Sequence, residues 1–176
     1  MNWYKKAVDI FRGDTVPLKI QDFDVEHGIK HLEKELSSSF ANGPGMYFTS
    51  SEDDANHYGK NITRAKIDNA NILSAKSNPL SAAQINSILS GVKKERLELA
   101  FSNWDENYNI GKRMLIDIIA KETDPLGQLM LIWSDIFYHQ NPNEFIQLMV
   151  ANKIDGAAVE QRGATHYIIY NRAILR

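Results

Sequence analysis

The 176-residue chain contains no cysteine. Disulfides, thiolate nucleophiles and cysteine-ligated zinc are therefore excluded. It has little net charge: 20 Lys and Arg against 22 Asp and Glu leave −2. The clustered basic excess of a duplex nucleic-acid binder is missing, though a local basic patch stays compatible with these numbers. No apolar run is long enough to span a bilayer, so no membrane partner is expected. Met1 to Lys6 lacks the apolar stretch of a secretory leader behind its lysines. These absences fit a cytoplasmic setting. There is no internal repeat and no low-complexity tract. What is present is 43% hydrophobic and 24% charged residues, in a length that suits one domain around one core.

Patterning along the chain alternates between strand and helix. Ala7 to Phe11 predicts a strand running into a turn at Arg12-Gly13-Asp14. Asp24 is placed to cap a helix with Val25, Ile29, Leu32 and Leu36 on one face, and Ser37 to Gly45 forms a loop. Met46 to Thr49 is an aromatic strand. Ser51 then caps a helix whose first turn holds Glu52, Asp53 and Asp54, and Gly59 stops it. Short strands follow over Thr63–Ile67 and Asn71–Ala75. From about 81 to 152 the spacing is helical, through Ile85, Ile88, Leu89 and Val92, then Ile110, Met114 and Ile118, then Leu126, Met130, Trp133 and Phe137. Asn141-Pro142-Asn143-Glu144 is a helix start. A C-terminal hairpin closes the pattern, with strands at Ala157–Glu160 and His166–Tyr170 around a turn at Arg162-Gly163. The expected class is α+β, a single domain over 1–176 with a helical insertion.

The segment Gly43-Pro44-Gly45-Met46-Tyr47-Phe48-Thr49, with Ala55-Asn56-His57-Tyr58-Gly59 behind it, is the stretch that suggests a ligand. A glycine turn, an aromatic strand and an acid-capped helix returning a second tyrosine can clamp a flat ring between two phenols. His27 and His31 lie four apart on a predicted helix but have no obvious third ligand, so no metal site is expected.

These residues resemble the nicotinamide-binding core of the ADP-ribosyltransferases, in particular the poly-ADP-ribose polymerase and diphtheria-toxin branch. That branch carries two glycines, an aliphatic residue, Tyr-Phe and a second tyrosine at the spacing of Tyr47 and Tyr58. The tail, Asp155-Gly156-Ala157-Ala158-Val159 and then Gly163 to Asn171, is similar to the family's hairpin whose last strand opens with a catalytic glutamate. The resemblance implies a split β-sheet core, NAD+ as co-substrate and an unknown protein or nucleic-acid acceptor. It also implies roles: Arg12 at the phosphates or ribose, the Gly13 backbone at the nicotinamide amide, Tyr47, Phe48 and Tyr58 around the ring.

Two departures stand out. Arg12-Gly13 occupies the place of a histidine-glycine pair, closer to the arginine of the cholera-toxin branch; Thr49-Ser50-Ser51 only loosely echoes that branch's Ser-Thr-Ser strand. His166 stands where the catalytic glutamate belongs, and Glu160 lies on the preceding strand. A carboxylate steadies an oxocarbenium-like sugar by adding negative charge beside it; neutral histidine accepts the hydroxyl bond but adds none. Whether Glu160 supplements His166 depends on hairpin register, which the sequence leaves open. The expectation is a mono-ADP-ribosyltransferase of the toxin or effector type, encoded by a bacterium or phage. The alternative is a catalytically weak binding module of the same fold. An RNA 2′-phosphotransferase is disfavoured by the mild acidity. The helical insertion is the expected place for acceptor choice, with Trp104, Tyr108 and Trp133 as core or contact surface.

Overall fold

Strands β2 (Val8–Asp14) and β4 (Asn61–Ile67) pair antiparallel over seven residues and form one side of an open sheet. The computed structural model describes residues 3–4, 7–22, 43–102 and 107–176. The helix expected after Asp24, the His27/His31 pair, most of the Ser37–Gly45 loop and Trp104 lie outside the described residues. The other side of the sheet consists of β3 (Met46–Thr49), β7 (Ala164–Ile169), β6 (Gly156–Gln161), β5 (Ala70–Ser74) and a two-residue edge, β1 (Trp3–Tyr4). The order is β1-β5-β6-β7-β3-β2-β4. All pairings are antiparallel except β5 with β6. At the junction of the two sides, β2 and β3 share one pair, Phe11 with Thr49. The class is mixed α+β with one open sheet.

The expected turn at Gly13-Asp14 is instead the end of β2, because both residues keep ladder partners on β4, Ile62 and Asn61. The expected turn at Arg162-Gly163 is present, both residues having positive φ of 54° and 78°. That is the signature of a primed two-residue hairpin, whose twist matches its strands.

Each sheet face carries its own core. One buries Ile10, Met46, Phe48, Ile72, Tyr167 and Ile169 under Leu18, Ile20, Ile174 and Leu175. The other buries Leu73, Ala157, Ile168 and Tyr170 under the helical block. That block comprises α2 (Ala82–Ser90), α3 (Lys94–Phe101), α4 (Tyr108–Lys121), α5 (Pro125–Leu131) and α6 (Pro142–Ala151), following the short α1 (Glu52–Asn56). Rings of Trp133, Phe137, Phe145 and Tyr170 meet at centroid distances of 5.3 to 6.1 Å, mostly edge-on, and join block to sheet. Gln128 is fully buried. Its amide accepts from Leu80 N–H at 2.6 Å and donates to the carbonyls of Leu80 and Ile119 at 3.1 and 3.2 Å.

Local signals explain most helix ends. Ser81 and Gln84 form a capping box at α2, Asn107 caps α4, and Asp124 with Pro125 starts α5. Three features differ from expectation. Asn141 does not cap α6 with its side chain but adopts φ 55°, and Glu144 turns to Arg96 at 3.2 Å. The helix expected through Leu126–Phe137 widens into a π-turn over Ile132–Ile136. Tyr138 and His139 then leave it with positive φ. Finally, α4 buries Gly111, Leu115 and Ile119 and leaves Ile110, Met114 and Ile118 exposed. A Cβ on Gly111 would overlap the Phe101 ring, so close helix–helix approach turns the glycine edge inward.

Candidate functional site

The stretch from β3 to α1 is built as its residues dictate. Ser51, in extended conformation, accepts from the Asp54 N–H at 3.2 Å and caps α1. Three carboxylates in the first turn meet the positive helix end. Arg64 on β4 holds Glu52 through two 2.8 Å bonds and lies over the Phe11 ring. Helix α1 thus rests on the sheet face that carries Phe11 and Gly13. The contact is main chain against main chain. A Cβ on Gly13 would overlap the Ala55 carbonyl and sit 2.7 Å from that of Gly59; a Cβ on Gly59 would overlap Asp14.

Register decides which candidate residues meet. Paired residues on neighbouring strands face the same way, and successive residues alternate. Thr49 pairs with His166, Tyr47 with Ile168, and Val159 with His166. Tyr47, Thr49 and His166 therefore share the face covered by the helical block and α1. Glu160 pairs with Thr165 on the opposite face, where its exposed carboxylate accepts the Thr165 hydroxyl at 3.0 Å. Glu160 cannot act beside His166 across this hairpin.

The carboxylate that does lie beside His166 is Asp54. Its Oδ2 is 3.2 Å from His166 Nε2, with side-chain exposures of 15% and 8%. The two atoms are out of line for a hydrogen bond, and neither has another hydrogen-bond partner. The sequence marked Asp54 only as a first-turn helix acid. Its nearness to His166 arises because β3 pairs with β7 and α1 folds back over the junction, a relation no linear spacing encodes.

Arg12 and Phe48 project to the other face. Arg12 forks onto Asp14, Nε at 3.0 Å and Nη2 at 3.0 Å, and its Nη1 donates to the Tyr47 carbonyl at 3.3 Å, bridging the β2–β3 junction. Asp14 is buried. Phe48 is buried beside Ile10 and Met46. Tyr58 follows α1 and is 57% exposed. The phenol of Tyr47 packs against the helical block and donates to the Gly43 carbonyl. The expected set is thus distributed over both faces, with Gly13, Tyr47 and His166 on one and Arg12, Phe48 and Glu160 on the other. Among the described residues no cluster of three or more His, Asp or Glu could hold a metal, and no helix is long and apolar enough to cross a membrane. Away from these strands, a groove of about 420 Å³ opens between α4 and the π-turn, lined by Leu115, Ile118, Leu131, Asp135 and Tyr138.

Burial raises the phenol pKa of Tyr47 and of Tyr170 above the usual 10; the charge of Tyr47 adds to the effect at Tyr170. Above about pH 10 the unfolded chain releases these protons while the folded chain keeps them. The unfolded state then binds fewer protons, so stability present below pH 10 is lost as pH rises toward the folded values. The slope approaches about 1.4 kcal/mol per pH unit for each tyrosine. Melting temperatures from pH 9 to 11 should fall more steeply for the native chain than for the Tyr47→Phe/Tyr170→Phe variant; equal slopes would contradict this.

No family model matches the chain, and no curated protein matches it. One solved structure, described as the crystal structure of an anti-CRISPR protein, is similar at a TM-score of 0.36 and 12% identity, over 96% of this chain and 93% of that one. Likeness at that level carries no argument about function.

Proposed function

We propose that the chain is an NAD-dependent mono-ADP-ribosyltransferase with a split-sheet core of that family, acting in the cytoplasm as a bacterial or phage effector on a macromolecular acceptor. The observation that carries this reading is convergence. The three segments that resemble the family's motifs are far apart in sequence, yet they occupy adjacent strands β2, β3 and β7, and the sheet is weakest where β2 meets β3. The buried, unpartnered Asp54 and His166 atoms lie on the same face as Tyr47. The donor set fits a dinucleotide in part. Because the Cα side of Gly13 is closed by α1, the nicotinamide amide would meet the glycine's N–H and C=O edge-on at the junction. Tyr47 and Tyr58 supply ring contact in this reading; Arg12, forked onto Asp14 on the opposite face, would reach phosphate or ribose only by exchanging that carboxylate for the dinucleotide across the β2–β3 junction. The helical block, with its groove beside Tyr138, is the surface for acceptor choice.

A second reading, a binding module without turnover, is favoured by one observation: Glu160 lies on the wrong face to replace the missing glutamate. Incubation with NAD+ separates the two. Nicotinamide release and transfer of a biotinylated ADP-ribose label to a lysate component are expected, both falling at least tenfold in Tyr47→Ala. Calorimetric NAD+ binding without release would select the binding module. Neither binding nor release would overturn both.

A further inference from the structure

We infer that Asp54 and His166 together form a carboxylate–imidazole base that takes the proton from the acceptor nucleophile. The inference rests on the transferase reading and supplies the element which that reading lacks, a group at the place of the glutamate.

The geometry leads to this role by elimination and by chemistry. Asp54 Oδ2 and His166 Nε2 are both buried atoms without a hydrogen-bond partner, an arrangement that costs stability and needs an explanation. Both are fixed from outside the pair: Asp54 by its place in the capped first turn of α1, His166 by ladder pairing to Thr49 and Val159. His166 Nε2 is inaccessible, so the 7% exposure of the residue lies elsewhere on its surface. A proton on Nε2, directed at Asp54, leaves Nδ1 as the basic nitrogen. Catalytic hydrogen bonds commonly tighten only when substrate binds.

Charge is the deciding quantity. A lone histidine adds no negative charge beside the sugar cation, and once protonated it opposes that cation. The pair behaves differently. With imidazole neutral and Asp54 ionised it carries −1 while the C1′–nicotinamide bond breaks and the bonding electron pair leaves with nicotinamide. An acceptor hydroxyl, or water, then forms the C1′–O bond, and its proton passes to His166. The imidazolium appears only as the sugar cation is quenched, and Asp54 balances it. Atoms and charge close: NAD+ and R–OH give the O-glycoside of ADP-ribose (ADP-ribose itself when R is hydrogen), nicotinamide and one proton held by His166. In this scheme His166 is the catalytic residue and Asp54 positions it.

The test uses the full chain with NAD+. His166→Ala should lower steady-state ADP-ribose transfer to the acceptor at least a hundredfold, as loss of the group that takes the acceptor's proton does, with NAD+ affinity within about threefold of wild type. Added imidazole should restore that variant at least tenfold. Asp54→Asn should show a comparable loss that imidazole does not relieve, and Asp54→Glu should recover part of it. Should His166→Ala not fold, His166→Gln keeps the volume without the basic nitrogen and must show the same loss. Active wild type with His166 variants within threefold, or a folded His166→Ala without imidazole response, overturns the dyad alone. Wild type inert toward NAD+ overturns the transferase reading with it.

Discussion

Replacing Gly13 with alanine is expected to destabilise the fold by about 4 kcal/mol or more, at the extreme of single substitutions. The added methyl would overlap the Ala55 carbonyl and crowd that of Gly59. Neither obstacle is the end of a flexible side chain that could swing aside. Both are backbone, held by the Ser51 cap and by the Tyr58 N–H bond to Ala55 at 3.0 Å. Relief would require α1 to lift from β2, opening the contact that sets Asp54 beside His166. Gly59→Ala should act alike from the opposite side, against Asp14. Urea midpoints of soluble variants would measure the effect; a Gly13→Ala protein within about 1 kcal/mol of wild type would refute the packing account. The sequence assigned this glycine to a ligand. The structure gives it a sufficient reason before any ligand is considered, so activity loss in Gly13 variants would not by itself locate a nicotinamide.

Gln128→Leu should cost about 3 kcal/mol, although leucine is similar in volume and better suited to an apolar core. The amide side chain is the partner of both the Leu80 N–H and the Leu80 carbonyl, and it also serves the carbonyl of Ile119. Leucine would leave the Leu80 groups unpaired at a fully buried position, each at about 1–3 kcal/mol. Gln128→Glu should not rescue: its carboxylate can accept from Leu80 N–H but faces two carbonyls. Denaturant titration of both variants provides the check, and a neutral Gln128→Leu would mean that water satisfies Leu80.

The legible parts of this chain are those written locally. Ser51 with its first-turn acids, Pro142 at a helix start, and the Arg162-Gly163 turn each determine conformation within a few residues, and all were readable. What escaped was set at a distance. The register of β7 against β6 places Glu160 and His166 back to back, a matter of one residue that flips a face. The partnership of Asp54 with His166 spans more than a hundred positions. The inward edge of α4 is chosen by the Phe101 ring, one position away from its most apolar stripe. Periodicity found the helix but could not see which neighbour would press on it.

The sheet's topology also bears on synthesis. Its central strand β7 ends at Ile169, and Arg176 exchanges two main-chain bonds with Lys66 on the far edge. A ribosome must translate nearly all of these residues before β3 and β6 have anything between them. Until then Met46, Phe48 and Ile72 lack the strand that covers them, so the sheet is expected to close late, after the helical block, whose core is drawn mostly from residues 80–154.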